Sequence, residues 1–314
     1  MTNVPMPSIK QQNALGNVRP GAVERMSVGT TNSAPQTVTL RGEDDLALVA
    51  DEWNAGSESA ADLPTILMLH GGGQNRFSWK KTGQILADAG FHVIAMDSRG
   101  HGDSDRSPTG KYSVESLCAD ALVVLYQIGR PVVLVGASMG GLTGILAAHE
   151  AGPEIVTKLV LVDVVPRFEK DGSARIRDFM FSHIHGFDSL DDAADAIAEY
   201  LPHRPRPRSN EGLKKNLRLR DGRWYWHWDP AFLNKPDDDP FARMEKLEQA
   251  AINLQIPILL IRGQLSDVVS PEGVADFLDK VPHAELVELP GAGHTAAGDD
   301  NDAFTEAVVQ FVKR

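Results

Sequence analysis

From about residue 65 to residue 163, short apolar runs alternate with longer amphipathic stretches. Thr65–Leu69, His92–Met96, Pro131–Val135 and Lys158–Val162 are bounded by turn residues, the pattern of strands buried on both faces. Between them, apolar residues recur at helical spacing over Trp79–Ala89, which stops at Gly90, over Val114–Tyr126 and over Met139–His149. Upstream, Thr37–Arg41 and Leu46–Trp53 read as two strands around the polar turn Gly42–Asp45. Alternation of this kind predicts an α/β fold with a parallel sheet and right-handed crossovers.

The rhythm breaks between about Pro166 and Ala250, where no buried strand is legible. That stretch holds helical patches at Ala174–His183, Leu190–Tyr200 and Glu211–Leu219. It also holds a spacer with Pro202, Pro205 and Pro207 and the aromatic cluster Trp224–Trp228. The sheet pattern returns at Pro257–Ile261 and continues with a helix near Pro271–Lys280, a strand at Ala284–Glu288 and a last helix at Ala303–Val312. A helical insertion between two strands of one sheet predicts a lid. The expected organisation is a core domain over 36–165 and 251–314, a helical lid over 166–250, and a flexible, polar N-terminal arm over 1–35.

Length and charge narrow the function classes. A chain of 314 residues can hold one large α/β domain with an insertion. A net charge of −12 argues against nucleic acid and anionic membrane surfaces as partners. The single cysteine, Cys118, excludes an intrachain disulfide framework and a cysteine-ligated metal cluster, and its helical neighbours make it a buried structural thiol. The polar arm lacks the apolar core of a secretory signal, and no later stretch is long and apolar enough to cross a membrane. A cytoplasmic protein is expected; a homo-oligomer is compatible with the sequence and not indicated by it.

Candidate chemistry begins where the Pro131–Val135 run meets Gly136-Ala137-Ser138-Met139-Gly140. A strand entering Gly-x-Ser-x-Gly with a helix behind it forces a sharp turn that exposes the serine at the sheet's carboxyl edge. Only very small residues fit two positions before and after it, and Gly136 and Gly140 meet that demand. A neutral hydroxyl needs a base, expected on a late loop. His294, in Pro290-Gly291-Ala292-Gly293-His294, follows the last strand. An acid must orient the imidazole. Asp267, on the loop after the Pro257–Ile261 strand, is the expected acid; Asp163, at the end of the sixth strand, is the rival, its other role being to hydrogen-bond backbone near the site. Oxyanion donors are expected from the backbone amides of Met139 and of Gly72, with Gly71 next, in the loop His70-Gly71-Gly72-Gly73. In the turn Asp97–Asp105, Arg99 and the aspartates read as structural pins.

With these elements together, the chain resembles the α/β-hydrolase superfamily from about residue 37 to its C-terminus. The resemblance rests on the His-Gly-Gly-Gly loop, the Asp97–Asp105 turn, the Ser138 elbow, Asp267 and His294, in that order. It implies a mostly parallel eight-stranded sheet flanked by helices, with a lid after the sixth strand. It also implies a hydrolase that needs neither cofactor nor metal and works through an acyl-enzyme intermediate. Epoxide hydrolases and haloalkane dehalogenases of this superfamily use an aspartate at the elbow, so Ser138 argues against those activities. The expected function is a carboxylesterase acting on a small-molecule ester, with Ser138, His294 and Asp267 as its triad. A lactonase, a C–C bond hydrolase, or a slow-turnover small-molecule receptor on the same fold are the alternatives. In the lid, Trp224, Trp226 and Trp228 are expected to line the substrate pocket or else to anchor the lid. The basic stretch containing Arg204, Arg206, Arg208, Lys214, Lys215, Arg218, Arg220 and Arg223 reads as a solvated face, or as a steering surface for an anionic substrate.

Overall fold

A computed structural model describes residues 34–57, 60–167, 169–202, 209–234, 239–294 and 302–314. The expected arm up to residue 33, and Arg204, Arg206, Arg208, Pro205 and Pro207, lie outside the described residues. The strands of the main sheet are β1 (Gln36–Arg41), β2 (Ala47–Trp53), β3 (Thr65–Leu69), β4 (Val93–Met96), β5 (Val132–Ala137), β6 (Val156–Val162), β9 (Ile258–Gly263) and β10 (Ala284–Leu289). A separate hairpin, β7 (Leu217–Arg220) and β8 (Arg223–Trp226), lies between β6 and β9 in the chain. The eight strands order as β1-β2-β4-β3-β5-β6-β9-β10. Pairing is antiparallel from β1 to β2 and from β2 to β4, and parallel from β4 through to β10.

Strand burial follows the two-residue pleat. Leu67 and Leu69 of β3 join one apolar cluster, and Ile66 and Met68 join the other, on the opposite face. The first cluster takes apolar residues from α2 (Val114–Ile128), α3 (Met139–Ala151), α6 (Pro240–Asn253) and α7 (Pro271–Lys280). The second takes them from α1 (Lys80–Asp88) and α8 (Asp302–Lys313). Cys118 is buried within α2, and burial pushes its thiol up to about 12.

The segment between β6 and β9 differs from the expected all-helical insertion. It contains α4 (Lys170–Ser182) and α5 (Leu190–Tyr200), then a 3₁₀ turn over Asn210–Lys215, the β7–β8 hairpin, and a second 3₁₀ turn over Pro230–Leu233. The helix expected over Glu211–Leu219 is therefore a short turn running into a strand. The cause is local: Asp221 (φ 49°) and Gly222 (φ 80°) both take left-handed backbone, as a tight hairpin turn demands. Trp224 extends this hairpin by pairing its backbone with Phe187, at 2.7 and 2.9 Å. Leu247, Ala250 and Ala251 of α6, by contrast, pack in the main cluster beneath the sheet.

Candidate active site

The elbow forms as the sequence requires. Ser138 sits between β5 and α3 with φ 46° and ψ −115°, a conformation that costs an L-residue roughly 1–3 kcal/mol. A Cβ at Gly136 would lie 2.4 Å from the Gly140 carbonyl oxygen, and one at Gly140 would lie 2.3 Å from that of Leu69. Gly141 is equally confined: a Cβ there would meet Val164 Cγ1 at 2.4 Å. These close approaches let α3 press against the sheet while the Ser138 amide donates to the Val162 carbonyl at 3.0 Å.

His294 reaches Ser138 from the loop after β10, with its Nε2 3.2 Å from the serine Oγ. Its Nδ1 lies 2.7 Å from Asp163 Oδ2. The expectation for the acid is therefore corrected. Asp267 does not meet the imidazole; its carboxylate pairs with Arg175 of α4 at 2.7 Å, with more than a third of its side chain exposed. Asp163 is fully buried and comes directly off the end of β6, next to β5, so it lies beside the elbow. Its φ of 49° is one that aspartate tolerates better than most residues. Oδ1 accepts from the Gly263 amide at 2.9 Å, and Oδ2 accepts from Ser266 Oγ at 2.5 Å as well as facing His294. Ser266 is in turn fixed by the amides of Val268 and Val269, at 3.2 and 3.1 Å. The loop after β9 thus supplies hydrogen-bond donors to Asp163 rather than the carboxylate that meets His294.

Gly71, Gly72 and Met139 come together around Ser138. A Cβ at Gly71 would lie 3.5 Å from the Ser138 Cβ, and one at Gly72 would lie 4.0 Å from the Met139 sulfur. The Gly71 amide donates to Gln74 Oε1 at 3.0 Å and the Gly73 amide to His101 Nε2 at 3.2 Å. Among the described residues, the amides of Gly72 and Met139 have no acceptor. Met139 is the first residue of α3, where helix geometry leaves the amide unpaired.

The inserted segment roofs this loop. A Cβ at Gly72 would meet Phe232 at 3.2 Å, and one at Gly73 would meet Met180 at 3.0 Å and Trp228 Nε1 at 3.8 Å. Trp228 is buried, and Trp226 stacks on it at 6.4 Å and packs edge-on against Phe187 at 5.3 Å. Trp224 and Trp226 border the insertion's own small core with Phe187 and Leu217. Of the three expected pocket tryptophans, Trp228 lies nearest the Gly71–Gly73 loop. Phe232 and Met180 were not singled out from the sequence; they stand outside the aromatic run that drew notice to the insertion. Ion pairs occupy part of the basic stretch: Arg218 with Asp103 at 2.6 Å, Lys214 with Glu211 at 2.6 Å, and Arg223 with Asp188.

Rim loops are held as the charged turn predicts. Arg99 forks onto Asp120 of α2 at 2.6 and 2.7 Å, and Asp97 accepts from the amides of Arg76 and Asp103 at 2.6 and 3.0 Å. Arg76, not anticipated, lies buried among Asp51, Asp97 and Asp103, whose charges hold its guanidinium protonated against burial. No helix among the described residues is long and apolar enough to cross a membrane.

Comparison with known proteins places this geometry in context. A family model described as alpha/beta hydrolase fold matches residues 64–300. The chain is 30% identical over 267 residues to the esterase Rv0045c of Mycobacterium tuberculosis, covering 81% of this chain and 86% of that protein. It is 29% identical over 268 residues to the mouse sn-1-specific diacylglycerol lipase ABHD11, covering 80% and 82%. A solved structure of the M. tuberculosis esterase superposes with a TM-score of 0.71 at 28% identity, covering 90% of this chain and 93% of that one.

Proposed function

The chain belongs to the α/β-hydrolase fold family, and we propose that it is a serine carboxylesterase that cleaves a small to medium carboxylic ester through an acyl-enzyme. The observation that carries this reading is the continuous line from Ser138 Oγ to His294 Nε2, 3.2 Å, and from His294 Nδ1 to Asp163 Oδ2, 2.7 Å. An ester-cleaving relative spanning most of the chain supports the substrate class.

In this mechanism Ser138 Oγ attacks the ester carbonyl carbon while His294 Nε2 takes the hydroxyl proton. Asp163 holds the imidazole in the tautomer that keeps Nε2 free to accept, and it stabilises the imidazolium that forms. The unpaired amides of Gly72 and Met139 donate to the oxyanion of the tetrahedral intermediate. As that intermediate collapses, the C–O bond to the leaving alcohol breaks and His294 passes its proton to the alkoxide. Water, deprotonated by the same Nε2, then attacks the acyl-enzyme and releases the acid. The Gly263 amide bonds Asp163 Oδ1 and the Ser266 hydroxyl bonds Oδ2, the oxygen that also faces His294, so the carboxylate is held in place while the imidazolium forms. Trp228, Phe232 and Met180 supply the apolar surface over the Gly71–Gly73 loop where the ester's carbon chain would rest.

A fluorophosphonate should label Ser138 and abolish hydrolysis of p-nitrophenyl esters, with peptide mapping identifying the site. An active enzyme labelled elsewhere, or unlabelled, overturns the reading.

A further inference from the structure

Three buried imidazoles surround the Gly71–Gly73 loop, and the esterase mechanism above uses none of them. His70 Nε2 accepts from the Ser98 amide at 2.9 Å, and its Nδ1 donates to the Gly71 carbonyl at 2.8 Å. His101 Nε2 accepts from the Gly73 amide at 3.2 Å, and its Nδ1 donates to the Arg99 carbonyl at 3.1 Å. His227 Nδ1 accepts from the Gly102 amide at 2.7 Å, and its Nε2 donates to the Gly73 carbonyl at 3.3 Å. An amide N–H can only donate, so each ring presents one bare nitrogen and is a neutral imidazole of fixed tautomer. Rings 70 and 101 lie 5.2 Å apart, and rings 101 and 227 lie 6.0 Å apart.

Peptide planarity ties the His70 contact directly to the oxyanion donor, while His101 and His227 fix the two planes that follow it. The Gly71 carbonyl and the Gly72 amide belong to one plane, and the Gly73 amide belongs to the next. Gly73 itself has φ +74° and is gripped at both ends, by His101 on its N–H and by His227 on its C=O. His70 and His101 come from the core domain. His227 comes from the inserted segment, where its own amide donates to the Asn216 carbonyl at 3.0 Å. Asn75, next to the loop, bonds back to Lys215 O and Asn216 Oδ1 at 2.9 and 3.0 Å. Among the described residues, the charged groups that act on His101 and His227 are themselves paired: Arg218 with Asp103, Asp97 with Arg76, and Asp229 with the Tyr112 hydroxyl at 2.6 Å.

We propose that His227 is a positioning residue that couples the seating of the inserted segment to the alignment of the Gly72 oxyanion amide. With the hairpin seated, His227 bridges Gly102 and Gly73 and holds the loop so that the Gly72 amide faces Ser138. With the hairpin lifted, Gly73 loses that bridge, the loop is held by His70 and His101 alone, and the Gly72 amide is less firmly aimed at Ser138. The inference rests on the esterase reading.

Its test measures burst and steady-state hydrolysis of p-nitrophenyl butyrate, with thermal melting and fluorophosphonate labelling of every variant. His227→Phe, close in shape but without ring nitrogens, should lower kcat about 10- to 100-fold while KM moves by less than about threefold. His227→Gln, whose carboxamide both accepts and donates, should recover about tenfold of that loss. Should His227→Phe not fold, His227→Asn carries the test: it can accept from Gly102 but falls short of Gly73, and the same kcat loss is expected. A His227→Phe or His227→Asn enzyme with wild-type kcat and only a lower melting temperature overturns the proposal. Wild-type protein that hydrolyses the ester without labelling at Ser138 overturns the esterase reading instead.

Discussion

Lowering the pH from about 7.5 to about 5.5 should reduce folding stability by roughly 1 kcal/mol for each buried imidazole that stays neutral in the fold, and the three rings around the Gly71–Gly73 loop are the reason. Burial holds His70 at about 4 and His101 at about 3, and it holds His227 well below the ordinary value, with His101 and His70 as lesser contributors. In the unfolded chain each takes up its proton near pH 6.5. A histidine whose folded pKa is depressed contributes its full stability above the unfolded pKa and loses it as pH falls toward the folded one. At about pH 5.5 the unfolded state gains roughly 1 kcal/mol for each of His70 and His101, while the folded state gains almost nothing; His227 acts in the same direction. Asp103, Glu115 and Glu248, whose carboxyls are held low by hydrogen bonds and paired cations against an opposing burial effect, lose their contribution only below about pH 4.5, outside this window. Asp97, pushed up by burial, works in the opposite sense, so the deciding comparison is between wild type and variant. Urea unfolding of the wild type, His101→Gln and His227→Gln at both pH values is the assay. Each substitution should reduce the pH-dependent loss, by roughly 1 kcal/mol for His101→Gln. Equal losses in all three proteins would refute the assignment of the proton uptake to these rings.

Asp163→Asn should lower kcat by about 10³–10⁴ with the fold retained, whereas Asp267→Asn should leave kcat within about threefold; steady-state kinetics beside matched melting curves check both. Ser138→Gly should be more stable than Ser138→Ala by about 1 kcal/mol, because glycine relieves the φ 46° strain and alanine does not; chemical denaturation of the two inactive proteins measures it. Trp228→Ala should shift the ratio of kcat/KM between short- and long-chain p-nitrophenyl esters by about 1–3 kcal/mol per methylene accommodated. Trp224→Ala, packed in the insertion's own core, should lower the melting temperature and leave that ratio alone.

The central strands were legible because β3, β4 and β5 are short apolar runs that end at turn residues, and the elbow because Gly136 and Gly140 are sterically obligatory. His294 was legible from its glycine loop. The acid was not, because Asp163 and Asp267 both lie between Ser138 and His294 at the ends of strands, and neither residue's sequence neighbours show which carboxylate is buried beside β5. What separates them is the Ser266 hydroxyl and the Gly263 amide, long-range partners of Asp163 that no local pattern records. The β7–β8 hairpin carried a signal that went unread: Asp221-Gly222 between alternating residues. His101 and His227 were passed over for a different reason. Each is an ordinary residue in its own segment, and their meaning arises only where two loops and the insertion converge on Gly73.

The placement of the acid at the end of β6 also bears on how freely this enzyme could change its covering. Ser138 and Asp163 both precede the insertion, on adjacent strands locked in register by Ala137 and Val162. Ser138 and Asp163 therefore belong to one βαβ unit that the inserted segment does not interrupt. Only His294 lies beyond it, on a strand that returns to the same sheet. Lengthening, trimming or exchanging the cover would alter which molecules enter while leaving the charge relationship beneath it intact. The loop after β9 instead pairs its Asp267 carboxylate with Arg175 of α4 at 2.7 Å and so moors the inserted segment to the sheet.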